Sequence, residues 1–214
     1  MAHIESVNVG VARRTGVKSG TSGIDKHPQP DAVAIDVPGW GGSGLAGDAI
    51  CDKPNHGGPD QAVYAYARED LEVWAAELGR PLRGGLFGEN ITTVGVDVTG
   101  AVIGERWRVG ERLVLQVTCP RIPCVTFAEQ MDEPGWIKRF TRAAVPGAYL
   151  RVLVPGEVRA GDPVVISGRP VSPATIGVSF RALTLEPDLL TGLVDAPDLI
   201  PGMRALARRR VPLA

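Results

Sequence analysis

Glycine and proline interrupt this chain so often that a long-helix architecture is excluded over most of its length. There are 27 glycines and 18 prolines among 214 residues. Between them lie short β-branched runs, the pattern of many strands joined by tight turns. Ile4 to Val11 alternates apolar and polar side chains and reads as a first strand. Further strands are expected at Val33 to Val37, Ala62 to Tyr66, through Ile91 to Cys119, at Ala148 to Pro155 and at Pro163 to Ser167. Gly104-Glu105, Gly110-Glu111 and Gly161-Asp162 supply turns ahead of the alternating runs Arg106 to Val109, Arg112 to Thr118 and Pro163 to Ser167. Repeated short strands of this kind predict a mainly β (β plus α) fold, a barrel or a strongly curved sheet.

Helical periodicity is confined to a few places. Arg68 to Leu78 carries Leu71, Trp74, Ala75 and Leu78 at helical spacing, with Gly79 and Pro81 positioned to stop it. Pro134 to Arg142 predicts a short helix crossing a rim. Ser19 to Gly47, rich in Gly, Pro, Asp and Ser, reads as irregular apart from its one short strand. After about Pro173 the leucines fall in segments broken by Pro187, Pro197 and Pro201, which predicts two or three short helices. The expected division is a β-barrel domain over 1–172 and a C-terminal helical extension over 173–214, whose leucines could cover a homodimer interface. Arg208-Arg209-Arg210 reads as the solvated end of the last helix.

Composition narrows the function classes. Charged residues make up 22% and the formal net charge is −1, so no field of the whole molecule favours nucleic acid. No apolar run approaches the roughly 20 residues of a membrane span, and the amino terminus lacks the features of a secretory signal; a cytoplasmic location is the expectation. Cys51, Cys119 and Cys124 cannot all pair with one another, and the sequence holds no CxxC. No GxGxxG opens a strand–turn–helix unit. Any redox chemistry therefore needs electrons from outside.

Three segments break the ordinary pattern. His56-Gly57-Gly58-Pro59-Asp60-Gln61 precedes a strand; its glycines let the backbone approach something bulky and can aim amides at an anion. Gly88-Glu89-Asn90 places a charge and an amide where a strand begins, and both need partners once buried. In Cys119-Pro120-Arg121-Ile122-Pro123-Cys124 two prolines hold the backbone extended. There Arg121 can favour a Cys124 thiolate or clamp a phosphate. Cys119, on a strand, and Cys51 fit the usual buried, inert cysteine.

Taken together, His56-Gly-Gly-Pro-Asp-Gln-Ala-Val-Tyr-Ala-Tyr66, Gly85-Leu-Phe-Gly-Glu-Asn-Ile91, Ile103-Gly-Glu-Arg-Trp-Arg-Val-Gly110 and Pro120-Arg-Ile-Pro-Cys124 resemble the MOSC family in order and spacing, and most closely its bacterial YiiM-like members. The resemblance covers nearly the whole chain; the stretch Ser19 to Gly44 carries no matching motif. It implies a MOSC-type β-barrel with a few rim helices, holding a molybdenum cofactor built on a pterin (molybdopterin). It also implies reduction of N-hydroxylated compounds, N-hydroxylated purine bases among them, with two electrons from an external donor reductase. By position, Cys124 corresponds to the metal ligand and Arg121 to the arginine of the motif. His56, Gly57, Gly58, Glu89 and Asn90 fall in segments expected around the cofactor. Arg121 with the amides of Gly57 and Gly58 is the expected holder of the cofactor phosphate, and His56 or Glu89 the expected proton relay. The alternative is a non-catalytic carrier or binding protein for the same cofactor.

Overall fold

The computed structural model describes residues 1–16, 20–196 and 198–210, Arg210 by its backbone alone. Ser19 and Pro197, named above as the start of an irregular stretch and as a helix breaker, lie outside the described residues. Twelve strands are present among the described residues. In chain order they are β1 (His3–Gly10), β2 (Arg13–Arg14), β3 (Thr21–Ser22), β4 (Lys26–Pro28), β5 (Val33–Ile35), β6 (Val63–Ala67), β7 (Ile91–Val94), β8 (Arg106–Val109), β9 (Leu113–Pro120), β10 (Ala148–Val154), β11 (Gly156–Val158) and β12 (Val164–Gly168). The helices are α1 (Arg68–Leu78), α2 (Val125–Met131), α3 (Trp136–Ala143), α4 (Ile176–Thr184), α5 (Leu190–Val194) and α6 (Pro201–Arg210).

Eight strands form one sheet in the order β12-β8-β9-β10-β6-β7-β1-β4. All neighbours run antiparallel except β6 and β7, which are parallel because α1 carries the chain back between them. The sheet curls until its flanks touch. His3 bridges Pro163, and hydrogen bonds run from the Ile4 amide to the Asp162 carbonyl (2.9 Å) and from the Val164 amide to the Ala2 carbonyl (3.0 Å). The barrel expectation is thus met as a curved sheet fastened at one end. The Gly104, Gly110 and Gly161 turns all have positive φ; of these the Gly110 turn closes a hairpin, β8–β9.

Two hydrophobic clusters flank the sheet. One is aliphatic and collects Ile4, Val7, Val63, Ala65, Ile91, Leu115, Val117 and Leu150. It continues without a break into Ile176, Leu183, Leu190, Leu193 and Leu199, so most of the described leucines after 173 are spent on the chain's own core. The other is aromatic, built from Tyr64, Tyr66, Trp74, Phe87, Phe127, Trp136 and Phe140. Strand β6 divides them: Val63, Ala65 and Ala67 face the aliphatic side, Tyr64 and Tyr66 the aromatic side. Such alternation is the period-two geometry of a strand.

Helix α1 has the limits its periodicity predicts, and Gly79 ends it in the left-handed region (φ 63°), its amide bonded to the Ala75 carbonyl. Helix α2 has no counterpart in the sequence reading. Its N-cap is Cys124, a residue type absent from the usual capping set. The stretch expected to be irregular also holds β3 and β4. Glu105 does not sit in an open turn; it is buried, accepts from the Trp107 indole (2.8 Å) and pairs with Arg169 (2.6 Å).

Candidate functional site

The last strand residue, Pro120, leads through Arg121-Ile122-Pro123 to Cys124, whose backbone is extended (φ −125°, ψ 172°) before α2 begins. This bend sets the Cys124 thiol on the wall of a cleft of about 680 Å³ of empty space, mouth included. Arg121 is carried one turn of chain earlier and is only 6% exposed. Its guanidinium lies 3.7 Å over the Phe127 ring, donates to the Phe87 carbonyl, and is 5.2 Å from the Tyr64 ring centre. The aromatic cluster is therefore the seat of the arginine. A cation desolvated this way keeps its charge because ring faces and a carbonyl replace water.

Burial alone would raise the Cys124 pKa. A hydrogen bond with His56, the Arg121 charge and the Phe127 amide in the first turn of α2 outweigh it and bring the thiol down to about 7. Reciprocally, the Cys124 contact raises the pKa of His56 against its own desolvation, with Asp52 adding to the effect. The His56 Nδ1 is 3.5 Å from the Asp52 carboxylate. Cysteine, histidine and aspartate thus form a chain running into the cleft, with the thiolate form favoured near neutrality. Cys119 makes the contrast: sealed on β9, it is pushed up to about 12 by desolvation.

Five of the residues singled out in the sequence (His56, Gly57, Asn90, Arg121 and Cys124) line this one cleft. Gly57 has φ 78°, and a Cβ there would lie 2.6 Å from the Gly42 carbonyl oxygen, so only glycine fits. Gly58 and Glu89 stand behind the wall. The Gly58 amide is given to the Gly42 carbonyl (2.8 Å) and is not free for an anion. Glu89 is wholly buried and accepts from the amides of Gly85 (2.6 Å) and Phe87 (3.0 Å) and from the Thr92 hydroxyl (3.1 Å). It shapes the loop that receives Arg121, whereas His56 lines the cleft. Asn90 accepts from the Tyr64 amide (3.0 Å) and donates to Asp48 (2.9 Å).

Other residues of the wall carry no motif. Lys26 lines the cleft and pairs with Asp48, which Ser43 also holds (2.6 Å). Burial lowers the Lys26 pKa, and the Asp48 charge opposes that shift. Tyr149 packs against Tyr64, the ring centres 5.1 Å apart and the planes tilted by 38°, and both border the cleft. Cys51, expected to be buried, is half-buried on the same wall, because the loop before His56 turns back along the cleft. Tyr64 has a sequence signal in the alternation of Val63-Tyr-Ala-Tyr-Ala67; Lys26 and Asp48 have none, since nothing local marks a lysine that will be buried by strands remote in sequence.

A model of the MOSC domain matches residues 52–165, more than half of the chain. The chain belongs to the MOSC family. It is 33% identical over 165 residues to YiiM of Escherichia coli, covering 73% of each protein. It is 37% identical over 140 residues to the uncharacterized protein YflK of Bacillus subtilis, covering 65% of this chain and 61% of YflK. A Gibberella moniliformis protein named as a reductase shares 30% identity over 133 residues, 60% of this chain but 23% of that protein. Among solved structures, YiiM from Geobacillus stearothermophilus superposes with a TM-score of 0.80 at 28% identity, covering 99% of this chain and 100% of that one.

MOSC domains are associated with molybdenum-cofactor binding, and the cleft offers what such a group asks of a protein. A soft metal wants a thiolate, and Cys124 is the accessible cysteine whose surroundings favour that form. An anionic pterin phosphate wants buried cations, and Arg121 and Lys26 stand on the wall. The Gln61 side-chain oxygen, buried at the same wall, has no hydrogen-bond partner among the described residues, and a bound donor would satisfy it.

Proposed function

We propose that the chain is a molybdenum-cofactor reductase of N-hydroxylated compounds, fed with electrons by an external reductase. The observation that carries this reading is the Cys124 thiol, placed on the wall of an open cleft and favoured as thiolate by His56 and Arg121. The named reductase among the relatives supports it from a second direction. When bound, the cofactor supplies a two-electron centre able to accept an oxygen atom; the rest is the work of the chain.

Cys124 is the metal's protein ligand in this reading. Among the described residues no three His, Cys, Asp or Glu side chains converge as a metal site, so one thiolate suits a metal that arrives with most of its ligands attached. Arg121, clamped between Phe127 and the Phe87 carbonyl, presents a fixed positive charge. Gly57 gives close backbone approach. Asn90 ties the start of β6 to Asp48 and keeps Tyr64 and Lys26 in place. His56, held by Asp52 and with its pKa raised by the Cys124 contact, is the group this reading assigns to pass a proton to an oxygen leaving the substrate. The overall conversion takes two electrons and two protons to the N–OH group and releases water.

The test uses protein expressed in a host that makes the cofactor. Wild type should contain molybdenum by elemental analysis and reduce an N-hydroxylaminopurine with an artificial donor; Cys124→Ser should lose both. Full metal content and full turnover in that variant defeats the assignment. Metal without turnover in wild type would make the chain a carrier instead.

A further inference from the structure

Three of the four tryptophans, Trp74, Trp107 and Trp136, are fully buried; Trp40 is 76% exposed. It belongs to the loop Pro38-Gly-Trp-Gly-Gly-Ser-Gly44, and that loop is fastened to the cleft from several sides. The Gly42 carbonyl receives the Gly58 amide at 2.8 Å. The Gly41–Gly42 backbone abuts Gly57, which lines the cleft, and Gly41 packs on Lys53. Ser43 donates to Asp48 at 2.6 Å, within the Lys26–Asp48–Asn90 group at the cleft wall. The Gly44 amide bonds to the Ala62 carbonyl at 2.7 Å. An anchored loop, whose Gly41–Gly42 segment backs Gly57 next to His56, therefore holds a bare indole in water.

Holding so large an apolar face in water forgoes most of the stabilisation that burying a large apolar side chain returns. The loop's four glycines keep neighbouring side chains from covering it. Indole is a rigid, flat, electron-rich surface, and such surfaces bind flat heteroaromatic rings by stacking. A small aliphatic hydroxylamine has no face to offer it.

We propose that Trp40 is a specificity residue: a stacking shelf at the cleft rim for the planar ring of a heteroaromatic N-hydroxylated substrate, whose N–OH end reaches toward Cys124. This deepens the reductase reading above and rests on it for the identity of the reacting group, while ring binding is measured without turnover.

Affinities are read by calorimetry on wild type, Trp40→Ala and Trp40→Phe, all from the cofactor-producing host. The probes are 6-hydroxylaminopurine and, lacking a ring, acetohydroxamic acid. Trp40→Ala should weaken the purine roughly ten-fold, within the range for stacking one base on one aromatic side chain, and leave the hydroxamate unchanged. Trp40→Phe should recover most of the loss. In wild type the purine should also shield the acrylamide-quenchable emission, which belongs to the one exposed tryptophan. Equal purine affinity in wild type and Trp40→Ala overturns the shelf, as does an equal loss for both probes or no purine binding at all. A chain that binds the ring through Trp40 but never reduces it sinks the reductase reading and spares the shelf; normal turnover with a silent Trp40→Ala does the reverse.

Discussion

The aliphatic and aromatic clusters lie on opposite faces of one strand, and they differ in how they are assembled and in what they serve. The aliphatic side is mostly a succession of alternating strands and the buried faces of the C-terminal helices, which contribute side chains by their own local period. The aromatic side draws on β6, α1, the Phe87 loop, α2 and α3, pieces spread over some eighty residues. Phe87 sits at its centre, with Tyr66, Phe127, Trp136 and Phe140 edge-on to it at 5.0 to 6.1 Å. The aliphatic cluster gives stability. The aromatic one gives stability and also holds a cation against the cleft, so packing there is an electrostatic device.

That comparison can be broken by mutation. Leu115→Ala, at a fully buried aliphatic position, should cost about 2–5 kcal/mol by denaturant unfolding, yet the pH profile of Cys124 alkylation should stay where it is. If that profile moves, the two regions are not separable. Phe127→Leu should cost less, about 1–2 kcal/mol, but move the alkylation midpoint upward, because Arg121 loses the ring beneath it. An unmoved midpoint would show that the aromatic seat is only packing.

The cofactor-free chain sharpens the same contrast. Iodoacetamide modification of Cys124 should rise with pH through a midpoint near 7, following its thiolate, while Cys119, pushed up to about 12, stays unmodified. Mass spectrometry of the modified peptides reads both. The smallest effect concerns Asp70 at the start of α1, held near 6 by burial and by Asp97 and Glu69. A carboxyl with a raised folded pKa binds its proton more tightly than the unfolded chain does. Its contribution is therefore present at low pH and lost as pH rises from about 4 to 6. Asp70→Asn should add about 1 kcal/mol at pH 8 and nothing at pH 4, by thermal melts across that range.

Much of this was legible beforehand where local rules decide. Alternation marks β1, β9 and β10, helical spacing and Gly79 mark α1, and the two prolines mark the extended bend that ends at Cys124. What stayed hidden is non-local. Helix α2 begins on a cysteine, so capping chemistry gives no warning of it. Lys26 and Asp48 meet only because β4 folds against β1 and Gly10 donates its amide to Asp48 at 2.9 Å. Cys51 reads as inert because nothing in its neighbours says that the loop doubles back. Glu89 looks like chemistry in one dimension and is a loop anchor in three, since both readings ask for the same buried carboxylate.

Strand β6 carries a consequence for how the molecule is made. A slip of a single residue in its pairing would turn both tyrosines into the aliphatic interior and bring valine and alanine under Arg121. The bond from the Tyr64 amide to Asn90 is then a register pin. Mispairing at that one place would cost the domain its interior and its reactive thiol together, so a chain that folds at all folds with its site already built.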